Sequence, residues 1–174
     1  MEQRIYVASL SAYNAGILHG EWITLNGKTR EEVLYEISLM LIKSTGDRPA
    51  EEWAIHDHEG FAPYEVSEYA DISELCDLVA AVEEHGRQIL ALVDHLSLDA
   101  EAAVRYHEDN YQGEWHSLSE WAEDWLEQTG SLSELHDNLK HYFDYESFAR
   151  DCEMGGDIFT LDTGDGTIWV YGNR

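Results

Sequence analysis

Apolar and acidic residues alternate with helical spacing over residues 117–130, which read S-L-S-E-W-A-E-D-W-L-E-Q-T-G. Ser117 followed by Glu120 three residues later forms a capping box, which is typical of a helix start, and the closing glycine is typical of a helix end. At 100° per residue, one face carries the apolar side chains of Leu118, Trp121, Ala122, Trp125 and Leu126. The opposite face carries the acids Glu120, Glu123, Asp124 and Glu127. The pattern predicts a helix that buries two tryptophans and exposes four carboxylates.

Residues 1–62 are predicted to form a small sheet with one helix. Strands are expected where apolar and polar residues alternate, at residues 4–10, 21–25 and 52–58. Residues 11–20 contain turn-forming residues and are expected to be a loop. Thr29 and Glu32 form a second capping box, which predicts a helix to about residue 43 that ends at the Gly- and Pro-containing segment 46–49.

Residues 63–109, which begin at a plausible boundary at Pro63, are predicted to be all helical. Ser73 could cap a first helix that ends at Gly86, and a second helix is expected at about residues 87–96. Asp99 could cap a third, short helix. The segment is small enough to depend on its neighbours for stability.

Residues 110–174 are predicted to combine helices with a terminal hairpin. Residues 111–116 fit either a strand or a loop, Ser131 or Ser133 could cap a brief helix, and Asp144 could cap a longer one. Strands at residues 158–162 and 167–171 flank T-G-D-G, a hairpin turn. The expected fold class is therefore α+β, in an elongated chain of three small subdomains.

The charge of this chain is far from that of an ordinary small domain. It has 36 Asp and Glu against 10 Lys and Arg, which gives a net charge of −26. Such self-repulsion destabilises a compact state, but six Trp, ten Tyr and four Phe supply material for a folded core. The sign of the charge argues against phosphate backbones and anionic membranes as direct partners and favours a basic partner.

Two long tracts contain acids but neither lysine nor arginine. Residues 49–86 hold eleven acids, and residues 106–139 hold nine. Along the helix predicted at 117–130, the four charges lie about 3.5 Å apart on the axis, which is close to the roughly 3.4 Å per charge of one DNA strand. An ordinary solvated helix face is the alternative interpretation, because any helix with acids at this spacing gives the same match. Adaptation to high salt is a further alternative, which the many Trp and Tyr residues argue against.

The sequence contains no motif for catalysis, metal binding or cofactor binding, so neither an enzyme nor a cofactor is expected. Cys76 and Cys152 lack metal or redox spacing, and His56-x-His58 would chelate a metal only weakly. D-T-G-D-G at residues 162–166 lacks the closing Glu of a calcium loop. A hydrolase that uses a carboxylate pair remains an alternative, because so many acids contain many possible pairs. With no signal peptide and no apolar run of roughly 20 residues, a reduced, cytoplasmic protein is expected.

Several stretches resemble the ArdA-type antirestriction proteins. Besides residues 117–130, they are R-I-Y-V-A-S-L-S-A-Y-N-A-G-I-L-H-G-E-W-I-T-L, E-E-W-A-I-H-D-H-E-G-F, E-E-H-G and Y-F-D-Y-E-S-F-A-R-D-C-E-M-G-G-D, which together cover nearly the whole chain in order. The resemblance implies a homodimer of three-part α+β subunits whose surface carboxylates imitate the phosphates of bent B-form DNA. It also implies that the dimer occupies the DNA-binding groove of type I restriction-modification enzymes and protects incoming mobile DNA in the bacterial cytoplasm.

The resemblance and the acidic tracts together give a set of expected partner-binding residues. The phosphate-mimicking acids are expected to be Glu65, Glu68, Asp71, Glu74, Asp77, Glu83, Glu84, Glu108, Asp109, Glu114, Glu120, Glu123, Asp124 and Glu127. The motif scaffold or dimer contact is expected to be Leu118, Trp121, Trp125 and Leu126. The alternative function is an acidic binding or chaperone module for basic DNA-binding proteins.

Overall fold

Six strands and eight helices follow one another in the part of the chain that the computed structural model describes, residues 2–44 and 52–173. The strands are β1 (Arg4–Ser9), β2 (Gly20–Thr24), β3 (Trp53–Glu59), β4 (Tyr111–Trp115), β5 (Ile158–Asp162) and β6 (Ile168–Gly172). The helices are α1 (Leu10–Asn14), α2 (Arg30–Ser44), α3 (Ile72–His85), α4 (Gln88–Leu96), α5 (Ala100–Asn110), α6 (Leu118–Gln128), α7 (Asp137–Lys140) and α8 (Tyr145–Gly155). The α+β class is confirmed, whereas the expected break at residues 46–49 and the acid Glu51 lie outside the described residues.

The chain divides into two units, Met1–Val104 and Arg105–Arg174. Each unit contains a three-stranded antiparallel sheet, with strand order β2-β1-β3 in the first and β4-β6-β5 in the second. The division into three parts at 62/63 and 109/110 stays a prediction.

In the first unit, the central strand β1 places its apolar side chains against helix α2. Ile5 and Val7 are fully buried, and Ile5 pairs with Ile23 of β2. Helix α2 contributes a buried stripe with helical spacing, formed by Val33, Ile37, Met40 and Leu41. The alternation of β1 and the 3.6-residue period of α2 therefore meet in one core, as their sequence patterns require.

The loop predicted over residues 11–20 is wrong at its start, because α1 occupies Leu10–Asn14. Ser9 caps this helix, since its Oγ accepts the N–H of Ala12 at 3.4 Å, and Ala12 is buried. A helix of five residues is too short to show a hydrophobic period, which is why the sequence pattern misses it.

The predicted capping box at the start of α2 is confirmed. The Glu32 carboxylate accepts the N–H of Thr29 at 2.9 Å, and Thr29 Oγ1 accepts the N–H of Glu32 at 3.3 Å. The hydrogen bond from the Thr29 backbone is the main reason why the pKa of Glu32 lies below its ordinary value.

Helix α3 begins two residues earlier than predicted, and its cap is Asp71 rather than Ser73. Asp71 Oδ1 accepts the N–H groups of Ser73 at 2.7 Å and Glu74 at 3.4 Å. Aspartate and serine are both good caps, so propensity alone does not choose between them. Starting at Ile72 lets that side chain join the buried face of α3, and the helix ends as predicted at Gly86.

The next two helices agree closely with the sequence pattern. Helix α4 buries the run Ile89, Leu90, Ala91, Leu92 and Val93, and it packs against α3. Asp99 caps α5 as predicted, because its Oδ1 accepts the N–H of Ala102 at 2.7 Å. Helix α5 continues to Asn110, further than the predicted short helix.

In the second unit, helices α6 and α8 pack against one sheet. The buried core cluster is formed by Trp121, Ala122, Ala149, Ile158 and Val170. The segment 111–116, which fitted either a strand or a loop, contains strand β4 (Tyr111–Trp115), and Glu114 pairs with Trp169 of β6. The predicted hairpin of β5 and β6 is confirmed, with Asp162 opposite Ile168 at its end.

The prediction that Ser131 or Ser133 begins the next helix is wrong. Helix α7 begins after His136, and neither serine caps it. The Ser131 hydroxyl instead lies 2.7 Å from the Thr129 hydroxyl, and the Ser133 N–H donates to the Gly130 carbonyl. Asp144 caps α8 as predicted, accepting the N–H of Ser147 at 2.9 Å.

Within residues 2–44 and 52–173, none of the helices is long and apolar enough to cross a membrane.

Candidate partner-binding surface

Helix α6 begins as its sequence predicts, with a variation in the capping box. Ser117 Oγ accepts the N–H of Glu120 at 3.2 Å. The Glu120 carboxylate accepts the N–H of His116 at 3.1 Å, one residue before the cap. The first interaction satisfies one of the backbone donors that a helix start leaves without an intrahelical partner. The second joins the residue before the cap to the first turn of the helix.

The apolar face of α6 holds the helix to its unit, but only one of its tryptophans is buried. Trp121 is 3% exposed, and its Nε1 donates to Gln112 Oε1 at 2.9 Å. Leu126 is also buried and Leu118 is half-buried. Trp125 is 38% exposed, so the prediction that both tryptophans are buried is wrong for Trp125.

Phe148 of α8 provides the partial cover of Trp125. The Trp125 and Phe148 rings are stacked with their centroids 6.1 Å apart. The ring of Trp125 also contacts that of Trp121, with a centroid distance of 6.2 Å. Nothing in the pattern of α6 distinguishes the two tryptophans, because both lie on the apolar face. Their difference comes from tertiary packing, because Trp121 lies in the buried cluster with Ala149 and Val170 and Trp125 does not.

Thirteen of the fourteen expected phosphate-mimicking acids are exposed, and Asp124 is half-buried. Six of them make no side-chain hydrogen bond or ion pair with any described residue, and we call this set the unpaired acids. The unpaired acids are Glu74 and Asp77 on α3, Glu108 and Asp109 on α5, and Glu123 and Glu127 on α6. Each stands on a helix, so its Cα position is fixed even though its carboxylate is free.

Other acids in the expected set are engaged within the protein. Asp71 caps α3, and Glu83 accepts hydrogen bonds from Asn26 Nδ2 at 3.0 Å and the Gly27 N–H at 3.3 Å. Glu114 accepts from Thr167 Oγ1 at 2.6 Å and Trp169 Nε1 at 3.1 Å, which ties β4 to β6. These acids stabilise turns and strand pairs, a role that counting charges along the sequence does not reveal.

Several of the remaining acids in the set lie beside titratable neighbours. Glu65 Oε2 is 3.2 Å from His58 Nε2, and Glu84 is 3.9 Å from His85. The charge of Glu68 is the main reason why the pKa of Tyr69 is raised, and Tyr69 also shares a hydrogen bond with it. The phenol of Tyr69 therefore stays protonated at neutral pH.

A groove in the first unit brings acids from different elements together. It has a volume of about 610 Å³ and is lined by Asp71, Glu74 and Asp77 of the α3 region and by Asp99 and Glu101 at the start of α5. Its apolar floor includes Leu75 and Leu78. In the described ranges, no cluster of three or more His, Cys, Asp or Glu side chains has an arrangement that could hold a metal ion.

A second concavity, which we call the aromatic slot, lies in the second unit. It has a volume of about 460 Å³ and is lined by Tyr111, Trp121 and Trp125 together with Asp109 and Asp157. Asp157 precedes β5 and was not among the expected site residues. The nearest sequence signal is that it closes the ArdA-like stretch Y-F-D-Y-E-S-F-A-R-D-C-E-M-G-G-D.

The family model of the antirestriction protein ArdA matches residues 5–165 of the 174-residue chain. This chain belongs to the ArdA family. No curated protein matches it. The match includes the whole of α6, all of the unpaired acids and most of both sheets, so the family resemblance seen in the sequence is confirmed over both units.

Membership of the ArdA family assigns this chain an antirestriction function, in which the partner is a restriction enzyme. The family is one of inhibitors, and this ArdA chain carries exposed acids on helices of both units. Their arrangement supports binding, because a carboxylate that stands unpaired on a helix can accept hydrogen bonds from a cationic partner without losing an internal one.

Proposed function

We propose that this ArdA protein inhibits type I restriction-modification enzymes by presenting carboxylates where DNA would present phosphates. The observation that supports this proposal is the set of unpaired acids, which occurs on helices of both units. Basic side chains that line a DNA-binding groove would form charge-assisted hydrogen bonds with them. The protein would act in the cytoplasm, where it would protect incoming mobile DNA.

Rigid mounting and free carboxylates suit such mimicry. Glu123 and Glu127 are four residues apart on α6, and Glu74 and Asp77 are three apart on α3, so each pair lies on one face of its helix. Neighbouring carboxylates at this spacing repel each other and destabilise their helices slightly. A cationic groove would relieve that repulsion, and this relief adds to the affinity.

The proposed interaction is electrostatic and therefore distributed. The net charge of −26 would steer the protein to a positive groove, and the association would weaken as salt is added. Exposed ion pairs contribute about 0–1 kcal/mol each. Neutralising one of Glu120, Glu123, Asp124 or Glu127 should therefore change inhibition little.

The direct experiment is a competition between this protein and DNA. A type I enzyme is bound to fluorescent DNA at moderate salt, and the protein is titrated in while anisotropy reports release of the DNA. Stoichiometric displacement that weakens with added salt supports the proposal. Binding of the protein to the enzyme without release of DNA would contradict it and favour an acidic chaperone.

A matched pair of variants sharpens this competition. One variant neutralises four unpaired acids, as Glu74→Gln, Asp77→Asn, Glu123→Gln and Glu127→Gln. The control neutralises four other exposed acids, as Glu31→Gln, Asp94→Asn, Glu146→Gln and Asp151→Asn, and has the same net charge. The first variant should displace DNA much less effectively than the control, because the unpaired acids are the proposed contacts.

We also propose that the protein is a homodimer. Large apolar side chains in and beside α7 are exposed, namely Leu135 at 37% before the helix, Leu139 at 55% within it and Tyr142 at 87% after it. A second subunit would remove them from water. Sedimentation should show a dimer that Leu139→Asp with Tyr142→Asp converts to monomers, whereas Leu18→Asp, at a position 80% exposed in the first unit, should leave it unchanged.

A further inference from the structure

The aromatic slot combines ring surfaces with negative charge. Trp125 and Tyr111 line it, and these residues are 38% and 37% exposed. Asp109 and Asp157 also line it, are exposed, and have no side-chain hydrogen bond or ion pair with a described residue. Among the described residues that line the slot, none is Lys, Arg or His. The side chains that line the slot therefore carry net negative charge.

Amide side chains add further acceptors to the slot. Asn110 Nδ2 donates to the Tyr106 carbonyl and Asn173 Nδ2 donates to the Gly156 carbonyl, each at 3.1 Å. Because a carbonyl can only accept, the nitrogen of each amide must face it, which leaves the amide oxygen free to accept. Gln112 is oriented the other way, since its Oε1 accepts from Trp121 and its NH₂ group stays available.

The other polar groups of the slot remain neutral at neutral pH. Burial, followed by the charges of Asp157 and Asp151, raises the pKa of the Cys152 thiol. Burial, followed by the charge of Glu114, also raises the pKa of Tyr111. The charge that a ligand would meet in the slot is thus that of the two aspartates.

We propose that the aromatic slot receives an arginine side chain of the restriction enzyme. A guanidinium group is planar, carries five N–H donors and no acceptor, and stacks on aromatic rings. These properties match two free carboxylates, two free amide oxygens and two exposed rings. A lysine ammonium offers one compact charge and no planar surface to stack, so it fits the slot less well.

The choice of partner rests on the function proposed above, and the slot adds something that phosphate mimicry does not contain. A DNA phosphate has no aromatic ring on which a guanidinium group could stack. An arginine held between rings and carboxylates would be a single strong contact within a distributed interface, and such contacts in partly desolvated pockets dominate many interfaces. Neutralising the slot should therefore matter more than neutralising an equal charge elsewhere.

The first test uses the intact protein and a small probe. N-acetyl-arginine amide is titrated into ¹⁵N-labelled protein at constant ionic strength, and the six Trp indole N–H resonances are followed. The resonance of Trp125, assigned with a Trp125→Phe variant, should shift and saturate. N-acetyl-lysine amide should bind at least about threefold more weakly, because it does not stack. An unmoved Trp125 resonance, or equal binding of the two probes, would overturn the proposal.

Two matched double variants then distinguish a specific effect of the slot acids on probe binding from the effect of net charge alone. Asp109→Asn with Asp157→Asn should weaken binding of the arginine probe by about tenfold, since both charge-assisted acceptors are lost. Asp94→Asn with Glu146→Gln makes the same change in net charge at exposed residues outside the slot and should weaken it less than about twofold. Equal effects of the two pairs would mean that the slot has no specific role.

The same variants in the DNA competition distinguish failure of this inference from failure of the proposed function. If the unmodified protein displaces DNA and the slot pair is weakened no more than its control, the arginine contact is wrong and DNA mimicry stands. If the unmodified protein does not displace DNA, the proposed function fails and the restriction enzyme is no longer the source of the arginine. If Trp125→Leu instead converts a dimer to monomers, the slot is a subunit contact and the proposal is overturned.

Discussion

Trp121 and Trp125 lie four residues apart on helix α6 and have different surroundings. Trp121 is enclosed by Ala122, Ala149 and Val170 and donates a hydrogen bond to Gln112. Trp125 contacts Phe148 and Trp121 but faces the aromatic slot. Trp121 therefore stabilises the unit Arg105–Arg174, whereas Trp125 is available to a partner.

The two tryptophans should respond differently to truncation. Trp121→Ala should lower the free energy of unfolding by roughly 3–5 kcal/mol, as large-to-small core substitutions do. Trp125→Ala should cost clearly less, because more than a third of that residue is already exposed. Urea unfolding followed by circular dichroism measures both, and equal losses of stability would contradict the difference in burial.

Glu114 illustrates an acid whose role is internal. Its carboxylate accepts from Thr167 Oγ1 and Trp169 Nε1 on the neighbouring strand. Glu114→Gln should destabilise the protein by about 1 kcal/mol, because an amide is a weaker acceptor than a carboxylate and its NH₂ group has to avoid two donors.

Glu127 supplies the matched control for Glu114. It is exposed and unpaired on α6, so Glu127→Gln should leave the thermal midpoint unchanged or slightly raised. Differential scanning calorimetry of the two variants decides the matter. A larger loss for Glu127→Gln than for Glu114→Gln would show that the hydrogen bonds of Glu114 do not contribute to stability.

At the scale of elements, the helix caps determine where the acidic faces begin. Asp71 starts α3 and Asp99 starts α5, while Ser117 and Asp144 start α6 and α8. Three of these caps are aspartates, so part of the negative charge serves helix formation. The charge and the fold are therefore not independent properties of this sequence.

The cap of α8 should make stability depend on pH. Hydrogen bonds from the backbone N–H and the hydroxyl of Ser147 hold the pKa of Asp144 below its ordinary value. A carboxyl whose pKa is lowered by folding stabilises the protein above its unfolded pKa, and this contribution is lost as the pH falls through the lowered value. Asp144→Ala should thus reduce the thermal midpoint at pH 7, and the difference from the unmodified protein should shrink as the pH falls below about 4.

Asp151 provides the comparison for this pH dependence. It lies exposed on the same helix and is not the cap. Thermal melts of Asp144→Ala and Asp151→Ala between pH 2 and 7 separate capping from general charge. If the two variants follow the same pH profile, the cap is not the source of the effect.

At the scale of the whole molecule, the net charge of −26 opposes folding. The ion pairs of Arg4 with Glu59, Lys28 with Glu36 and Lys43 with Glu21 involve partly exposed residues of the first unit. Such pairs contribute little individually. Self-repulsion among the remaining acids is therefore the main electrostatic influence on stability.

Added salt should consequently stabilise the free protein while weakening its complex. The Debye length falls from about 30 Å at 0.01 M to about 8 Å at 0.15 M, which screens repulsion between exposed acids. The thermal midpoint should rise over this range of NaCl. Displacement of DNA from a type I enzyme should become less effective over the same range, and a falling midpoint would contradict dominance by self-repulsion.

Local patterns in the sequence predicted most of the elements because their causes are local. The capping box of Thr29 and Glu32 and the caps Asp99, Ser117 and Asp144 each join residues three positions apart. The apolar stripes of α3, α4 and α6 follow from the helical period alone. Where two local solutions compete, as for Asp71 and Ser73, the burial of Ile72 in the folded chain decides.

The sequence by itself determined the α+β class, the acidity of both units and membership of the ArdA family. Charge, hydrophobic period and capping depend only on which residues are present and on their spacing over a few positions. Both can be read directly from the sequence. The tertiary structure alone decided which acids remain unpaired, because Glu114 and Trp169 are 55 residues apart and meet only when β4 pairs with β6. It also exposed Trp125 and joined it with Asp109 and Asp157 in one slot, since their proximity depends on how α6 and α8 pack against that sheet.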